Sequence, residues 1–325
     1  MIFLVSKSSD PYFNLALEET LLRSHNDEVF MLWQNDNTIV VGKNQNTLAE
    51  IDYDYVKENG IRVVRRITGG GAVYHDMGNV NFTYITSYDG EWKSDFSRFA
   101  HPVISALSRL GIEATLSGRN DILADGKKFS GNAETVVDGR ILHHGTILLD
   151  TNVEVLSKAL IPDPRKIKSK GIKSVSSRVT NISEVAGRKV SPLEIIDLIS
   201  CEVKRLYNAE SYEARAEELD AARKLADEKY RTWEWNFGYS PKYTFSKSEH
   251  FSVGIIGADA EVRDGKIIKI KFSGDFFGIQ DVAEIEKALS GVCHREESIM
   301  EVLKGFKVSE YFGNIEPKEL LTILI

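Results

Sequence analysis

Apolar and polar residues alternate along the chain with two periods, one typical of helices and one typical of strands. Apolar repeats every three or four residues predict helices, and Asp10-Pro11 gives the first of them a favourable start. The predicted helices cover residues 10–22, 52–59, 96–110, 192–207, 282–289 and 296–303. Alternation at every second residue, or a short apolar run between turn residues, predicts a strand. The predicted strands cover residues 1–7, 29–33, 38–42, 61–64, 72–74, 81–85, 112–116, 121–123, 127–130, 133–137, 145–150, 251–257, 260–262 and 266–272.

The order of these elements divides the chain into two parts. Helices and strands are mixed through the long N-terminal part, which predicts an α/β (α+β) domain. The composition changes near Tyr239-Ser240-Pro241. The strands and two helices that follow predict a small α+β domain of about 75 residues. We therefore expect a larger domain over residues 1–245 and an accessory domain over residues 246–325.

The composition is that of an ordinary soluble globular protein, with 42 % hydrophobic and 27 % charged residues among 325. Apolar runs stay below the roughly 18 residues that span a bilayer, and residues 1–7 do not predict a signal peptide. The net charge of −7 argues against a general nucleic-acid binder, so any basic site must be local. Cys201 and Cys293 lie far apart without a metal spacing, which suggests reduced thiols in a cytoplasmic protein.

The most informative stretch is residues 64–76, in which Arg65 and Arg66 lead into Ile67-Thr68 and the three glycines 69–71. Glycine tolerates positive φ, so such a segment can turn its N–H groups toward a ligand. A concave set of N–H groups binds anions, phosphate above all. The flanking residues predict strands, and we expect a glycine-rich hairpin that binds phosphate. The alternative is a structural turn with solvated arginines.

A second candidate site surrounds Lys127 and Lys128, which precede the small residues Ser130, Gly131 and Ala133. Small side chains leave room for a ligand above the strand. Because side chains alternate along a strand, one lysine should face inward and the other outward. The inward lysine would be costly to bury without an anionic partner, such as a phosphate or a carboxylate. The alternative is a hairpin turn at residues 125–126 with two solvated lysines.

Two further stretches suggest chemistry. Residues 165–181 form a concentrated basic run, rich in Gly and Ser, in an otherwise acidic chain. The run is either a solvated surface or a loop that orders over an anionic ligand.

His143 and His144 are adjacent, so on a strand they point to opposite faces. No carboxylate or cysteine stands at a ligand spacing from them, which favours a structural role over a metal site.

Taken together, these motifs resemble the lipoate–protein ligase family, in its bacterial two-domain form. The resemblance covers about the first 240 residues in order, and the last domain resembles the family's accessory domain less closely. The motifs that carry it lie at residues 10–16, 65–76, 117–121, 128–133, 143–149, 170–175 and 233–238. The resemblance implies the catalytic fold of biotin protein ligases and class II aminoacyl-tRNA synthetases. It also implies a monomer that binds neither nucleic acid nor membranes.

The implied reaction has two steps. Lipoate and ATP form lipoyl-AMP, and a lysine of a lipoyl-acceptor domain then takes the lipoyl group. The implied acceptors are E2 subunits of 2-oxoacid dehydrogenases and the glycine cleavage H protein. A carboxylate and a phosphate repel each other by about 4 kcal/mol at 4 Å and an effective dielectric of 20. The resemblance identifies Lys128, not Lys127, as the catalytic lysine that would offset this repulsion.

The resemblance also implies roles for other residues. ATP and the adenylate would be bound by Arg66, Gly71, Ala72, Val73, Tyr74 and Lys128. Lipoate would be bound by Lys128, Gly70, Val73 and His75. Pattern and resemblance together suggest an apolar tunnel lined by Leu15, Trp33, Val41, Val73 and His75. The loop that covers the adenylate would contain Lys168, Lys170, Lys173 and Arg178. Mg²⁺ is expected with ATP, held mainly by phosphates and water, with Asp121 as a candidate contact.

Three other functions compete with the ligase. An octanoyl- or lipoyltransferase of the same fold needs a cysteine nucleophile, and residues 1–200 contain none. A biotin ligase would carry a tryptophan after its arginine-glycine turn, which this chain lacks. A non-catalytic lipoate-binding module would not need Arg66, Lys128 and the glycine segment together.

Overall fold

The computed structural model describes residues 1–90, 96–118, 120–161, 179–237, 245–263 and 266–325. The strands of the N-terminal part are β1 (Ile2–Val5), β2 (Val29–Trp33), β3 (Thr38–Val41), β4 (Arg62–Arg65), β5 (Val73–His75), β6 (Asn79–Ser87), β7 (Ala114–Ser117), β8 (Asp121–Ala124), β9 (Lys127–Val137), β10 (Arg140–Leu148) and β11 (Glu210–Ser211). Eight of them form one mixed sheet in the order β11-β1-β2-β6-β10-β9-β8-β7. The pairs β1–β2 and β1–β11 are parallel, and the other pairs are antiparallel.

The remaining strands form a three-stranded sheet in the order β4-β3-β5. The predicted glycine hairpin is therefore wrong. The strands on either side of the glycines do not pair with each other, because each pairs with β3, one parallel and one antiparallel. Gly69–Gly71 belong to a connection that crosses from one edge of this sheet to the other.

The helices of the N-terminal part are α1 (Pro11–Ser24), α2 (Thr47–Glu50), α3 (Tyr53–Glu58), α4 (Ser97–Ser108), α5 (Val153–Ala159), α6 (Ile182–Val185), α7 (Pro192–Tyr207), α8 (Ala216–Leu225) and α9 (Trp233–Asn236). Side chains cap α1 and α7 at their N-termini, where Asp10 accepts from the Tyr12 N–H and Ser191 from the Glu194 N–H. The sequence did not predict α2, α5, α6, α8, α9 or the short π-helix Ala226–Tyr230.

The C-terminal part contains the antiparallel strands β12 (Phe245–Phe251), β13 (Gly254–Arg263) and β14 (Lys266–Gly274). The helices α10 (Ala283–Leu289), α11 (Glu296–Leu303), α12 (Ser309–Phe312) and α13 (Pro317–Leu321) accompany them. The predicted strand over 251–257 is interrupted by a turn at residues 252–253: Phe251 ends β12, and Gly254 begins β13, which also includes the predicted strand over 260–262. The predicted fold class, a mixed α/β sheet domain followed by a small α+β domain, is confirmed.

Each part has its own hydrophobic core. One core is formed entirely by residues between Ile256 and Leu324. The others join α1, α4 and α7 to the two sheets of the N-terminal part. The predicted domain boundary at residues 245–246 stays a prediction, and the composition change at 239–241 lies outside the described residues. None of the helices in the described ranges has the length and apolarity that a membrane crossing needs.

Candidate active site

A cavity of about 550 Å³ opens between the two sheets of the N-terminal part. Its wall brings together residues that are far apart in sequence. It contains the predicted site residues Arg66, Gly70, Gly71, Ala72, Val73, Tyr74, His75, Asp121 and Lys128. The predicted loop residues Lys168, Lys170, Lys173 and Arg178 lie outside the described residues. The cavity lies within the size range of small-molecule sites.

Lys128 and Lys127 face different surroundings, as the alternation predicted. Lys127 is exposed, whereas Lys128 lines the cavity with its ammonium 2.6 Å from an Asp121 carboxylate oxygen. The pairing of β8 with β9 shifts register here, so that Phe129 is an extra residue whose ring is fully buried. Gly131 leaves space for the lysine, because a Cβ at residue 131 would lie 2.9 Å from the Lys128 Nζ.

Both arginines of the glycine stretch are buried rather than solvated. The Arg65 side chain is fully buried and donates to the carbonyls of Gly42, Lys43, Gln45, Trp235 and Asn236 and to the Thr47 hydroxyl. It therefore ties β4 to α2 and α9, and it does not line the cavity. Its role is structural.

Arg66 lines the cavity and also determines the shape of the glycine segment. Its guanidinium donates to the carbonyls of Gly69, Gly71 and Val40 and to the Thr68 hydroxyl. Burial lowers the pKa of Arg66 to about 10, while the Glu18 carboxylate opposes the shift. The side chain thus stays positively charged at neutral pH, close to where a phosphate would meet the glycine backbone.

The glycine segment is constrained by close neighbours. Gly70 has φ of +93°, a conformation that favours glycine, and a Cβ on Gly42 would lie 2.0 Å from the Gly70 carbonyl oxygen. A Cβ on Gly69 would lie 2.2 Å from the Phe276 carbonyl oxygen. The C-terminal part therefore packs directly on the glycine segment, and it also contributes Asp275 to the cavity wall. No local pattern in the sequence predicts this contribution.

The apolar end of the cavity is lined by Leu15, Trp33, Val40, Val73 and His75. The sequence suggested Val41 for the tunnel, and this is wrong: Val41 does not line the cavity, and it packs with Ile39 and Val63 in a separate cluster. Burial, and next the charge of Arg66, lower the pKa of His75 to about 3. The Asn35 amide lies 3.2 Å from Nδ1, so the neutral ring carries its proton on Nε2, which has no partner among the described residues.

His143 and His144 point to opposite sides of β10, as predicted. His143 is in the core, with Nε2 3.1 Å from the Asn132 side-chain oxygen and its ring stacked on Phe99 at 4.6 Å. Burial holds its pKa well below the usual value. His144 lines the cavity and contacts Glu18 and Thr68. In the described ranges, no cluster of three or more His, Cys, Asp or Glu side chains could hold a metal ion.

The described residues nearest the predicted basic loop, Leu160, Ile161 and Val179, line the cavity. Before it, the Ile161 N–H donates to the Glu50 carbonyl, and Leu160 bridges Ile51. After it, Val179 bridges Lys128, and the next N–H donates to the Lys128 carbonyl. Ile161 and Val179 both line the cavity. The predicted loop residues between these two points lie outside the described residues.

The two thiols do not belong to the cavity. Cys201 lies in α7, Cys293 lies in the C-terminal part, and both are exposed. Neither lines the cavity. A thioester route therefore has no nucleophile in the described part of the cavity wall.

The fold and the site define an enzyme of the ligase class. Residues 10–204 match the lipoyl protein ligase A/B catalytic domain, and residues 240–324 match the bacterial lipoate protein ligase C-terminus. The chain is 42 % identical to the lipoate-protein ligase LplJ of Bacillus subtilis, with all of both chains covered. It belongs to the lipoate–protein ligase family, which confirms the resemblance.

Solved structures agree with this assignment. A Plasmodium falciparum LipL1 structure in complex with lipoate has a TM-score of 0.80 and 27 % identity, over 99 % of this chain and 97 % of that one. A lipoate-protein ligase A bound with ATP has a TM-score of 0.64 and 30 % identity, over 73 % of this chain and 98 % of that one.

Proposed function

We propose that this chain activates lipoate with ATP to lipoyl-AMP and then transfers the lipoyl group to a lysine of a lipoyl-acceptor domain. The observation that carries the proposal is Lys128, whose ammonium lines the same cavity as the glycine segment and the apolar residues Leu15 and Trp33. Relatives solved with lipoate and with ATP support both substrates. The first step would join the lipoate carboxylate to the α-phosphate and release pyrophosphate.

The two ends of the cavity suit the two halves of an acyl-adenylate. Arg66 and the backbone of Gly71, Ala72, Val73 and Tyr74 would hold the nucleotide, since a buried guanidinium beside a glycine backbone favours phosphate. Gly70, Val73 and His75 would bind the lipoyl chain, whose hydrocarbon needs an apolar wall. Lys128 would contact both the carboxylate and the phosphate, and it would offset their repulsion in the transition state.

Mg²⁺ would accompany ATP. Asp121 is the carboxylate nearest Lys128, and one carboxylate with substrate phosphates and water is a donor set that Mg²⁺ accepts. The ion would supply charge neutralisation at the phosphates. Asp121 would hold the ion, and its carboxylate also pairs with the Lys128 ammonium at 2.6 Å.

The loop with Lys168, Lys170, Lys173 and Arg178 would cover the adenylate and exclude water. The acceptors would be E2 subunits of 2-oxoacid dehydrogenases and the glycine cleavage H protein. The enzyme would act as a cytoplasmic monomer without nucleic-acid or membrane partners.

Lipoate-dependent ATP–pyrophosphate exchange tests this proposal, with Lys128→Ala as the variant and Lys127→Ala as the matched control. We expect Lys128→Ala to abolish exchange, because the bridging charge is lost, and Lys127→Ala to keep it, because that side chain is exposed. Thermal unfolding should be similar for both variants. Exchange near the wild-type rate in a folded Lys128→Ala variant would contradict the assignment.

A further inference from the structure

Behind the cavity wall, a chain of buried hydrogen bonds connects the two ends of the site. From the nucleotide end, the Arg66 Nε–H donates to the Thr68 hydroxyl at 2.9 Å. The Thr68 hydroxyl lies 2.8 Å from His144 Nε2, and His144 Nδ1 lies 2.9 Å from a Glu18 carboxylate oxygen. From the apolar end, the Trp33 indole donates to Thr83 at 2.8 Å, and the Thr83 hydroxyl donates to the same Glu18 oxygen.

The directions of these bonds follow from the chemistry of the partners. A carboxylate oxygen accepts, as this Glu18 oxygen does from the Thr83 hydroxyl, so His144 donates its Nδ1 proton to it. Nε2 of that tautomer is left to accept the Thr68 hydroxyl proton. Thr68 accepts in turn from Arg66. Both branches of the chain thus end on one oxygen of Glu18, a residue only 1 % exposed.

Three members of this chain line the cavity, and three lie behind it. Trp33, His144 and Arg66 face the ligand space, whereas Thr68 and Thr83 are fully buried. Glu18 is also the carboxylate that most strongly favours the charged form of Arg66. Removing a buried partner leaves the remaining donor unsatisfied, which costs more than the bond itself contributes.

We propose that Glu18, His144 and Thr68 are positioning residues that hold Arg66, and through it the Gly69–Gly71 segment, in the geometry that receives the nucleotide. Arg66 donates to the Gly69 and Gly71 carbonyls, so a shift of the guanidinium moves that backbone. Because the other branch reaches Trp33, the same carboxylate anchors the lipoate end. This inference rests on the proposed function of the two ends.

Thr68→Val tests the chain, because valine has the shape of threonine without the hydroxyl. It should raise the KM for ATP about tenfold, or ~1.4 kcal/mol, while the KM for lipoate changes little. Thr68→Ser restores the hydroxyl and should return the KM for ATP to near the wild-type value. Thr83→Val, on the other branch, should instead raise the KM for lipoate. Lipoate-dependent pyrophosphate exchange gives the KM for ATP and the KM for lipoate of each variant.

Several outcomes would overturn the inference. Thr68→Val with an unchanged KM for ATP, or with equal rises in both KM values, would show that the chain does not position Arg66. If Thr68→Val does not fold, Glu18→Gln takes its place, since glutamine keeps the shape of glutamate and removes the charge. An unchanged KM for ATP in Glu18→Gln would likewise show that the chain does not position Arg66. Absence of lipoate-dependent exchange in the wild-type protein would overturn the proposed function itself. The wild-type assay therefore separates failure of the proposed function from failure of this inference.

Discussion

Lys128 has its position because of the residues that leave space around it. A β-bulge at Phe129 sets its direction, Asp121 holds its ammonium, and the missing side chain of Gly131 gives it room. A charged side chain on a strand thus faces the cavity without filling it.

Gly131→Ala should therefore lower activity with little change in stability. The new Cβ would lie 2.9 Å from the end of a flexible lysine, so the ammonium must move while the backbone stays in place. A displacement of this size should reduce kcat between about tenfold and a hundredfold. Steady-state kinetics and thermal unfolding measure the two effects. An unchanged kcat would mean that the position of the lysine in the free enzyme does not matter for the reaction.

At this scale the sequence predicted side chains that line the cavity, but it did not predict the residues that support them. The order of small residues after Lys128 indicated space for a ligand, and alternation separated it from Lys127. By contrast, nothing in Arg65-Arg66 distinguishes a structural arginine from one in the cavity wall. That difference depends on partners in α2 and α9, which are far away in sequence.

At the scale of elements, the glycine segment shows why a local pattern can mislead. Two strand-like runs joined by glycines are typical of a hairpin. Here β3, more than twenty residues earlier, lies between the two strands and pairs with both. The segment becomes a crossing connection over the cavity, held by Arg66 from below and by Phe276 from the C-terminal part.

Gly69→Ala should disrupt this crossing, because its Cβ would lie 2.2 Å from a backbone oxygen that cannot move away easily. We expect a loss of stability of roughly 1–3 kcal/mol and a higher KM for ATP. Gly305→Ala is the matched control, since its Cβ meets only the Val302 carbonyl oxygen at 3.2 Å. Chemical denaturation measures the free energy of unfolding of both variants, and exchange kinetics measure their KM for ATP. Equal effects of the two substitutions would argue against a specific contact at residue 69.

For the whole molecule, the buried histidines predict sensitivity to acid. Burial lowers the pKa of His75 to about 3 and holds that of His143 well below its usual range. In the unfolded chain, a histidine titrates near pH 6.5. Below about pH 6.5 the unfolded state therefore binds more protons, and the free energy of unfolding falls as the pH falls, by about 1.4 kcal/mol per pH unit for each histidine.

Denaturation between pH 7 and pH 5 measures this effect, in a window above the ordinary carboxylate pKa values. His75→Gln should reduce the slope, and His101→Gln, at an exposed position, is the control. A free energy of unfolding that stays constant over this window would contradict the burial of neutral histidines.

The fold class and the family followed from the sequence because motifs and periodicity are local. The contact between the two parts of the chain did not follow from the sequence. The Gly274 N–H donates to the Asn44 carbonyl at 2.6 Å, and Lys43 pairs with Asp281 at 3.2 Å. Such pairings join residues more than two hundred positions apart, and no local pattern predicts them.

The packing of Phe276 on Gly69 has a thermodynamic consequence. If binding of nucleotide changes the glycine backbone, it changes the free energy of that contact. By linkage, the contact must then change the affinity for nucleotide by the same factor. In that case the C-terminal part of the chain is energetically coupled to nucleotide binding, whether or not any of its atoms touches ATP.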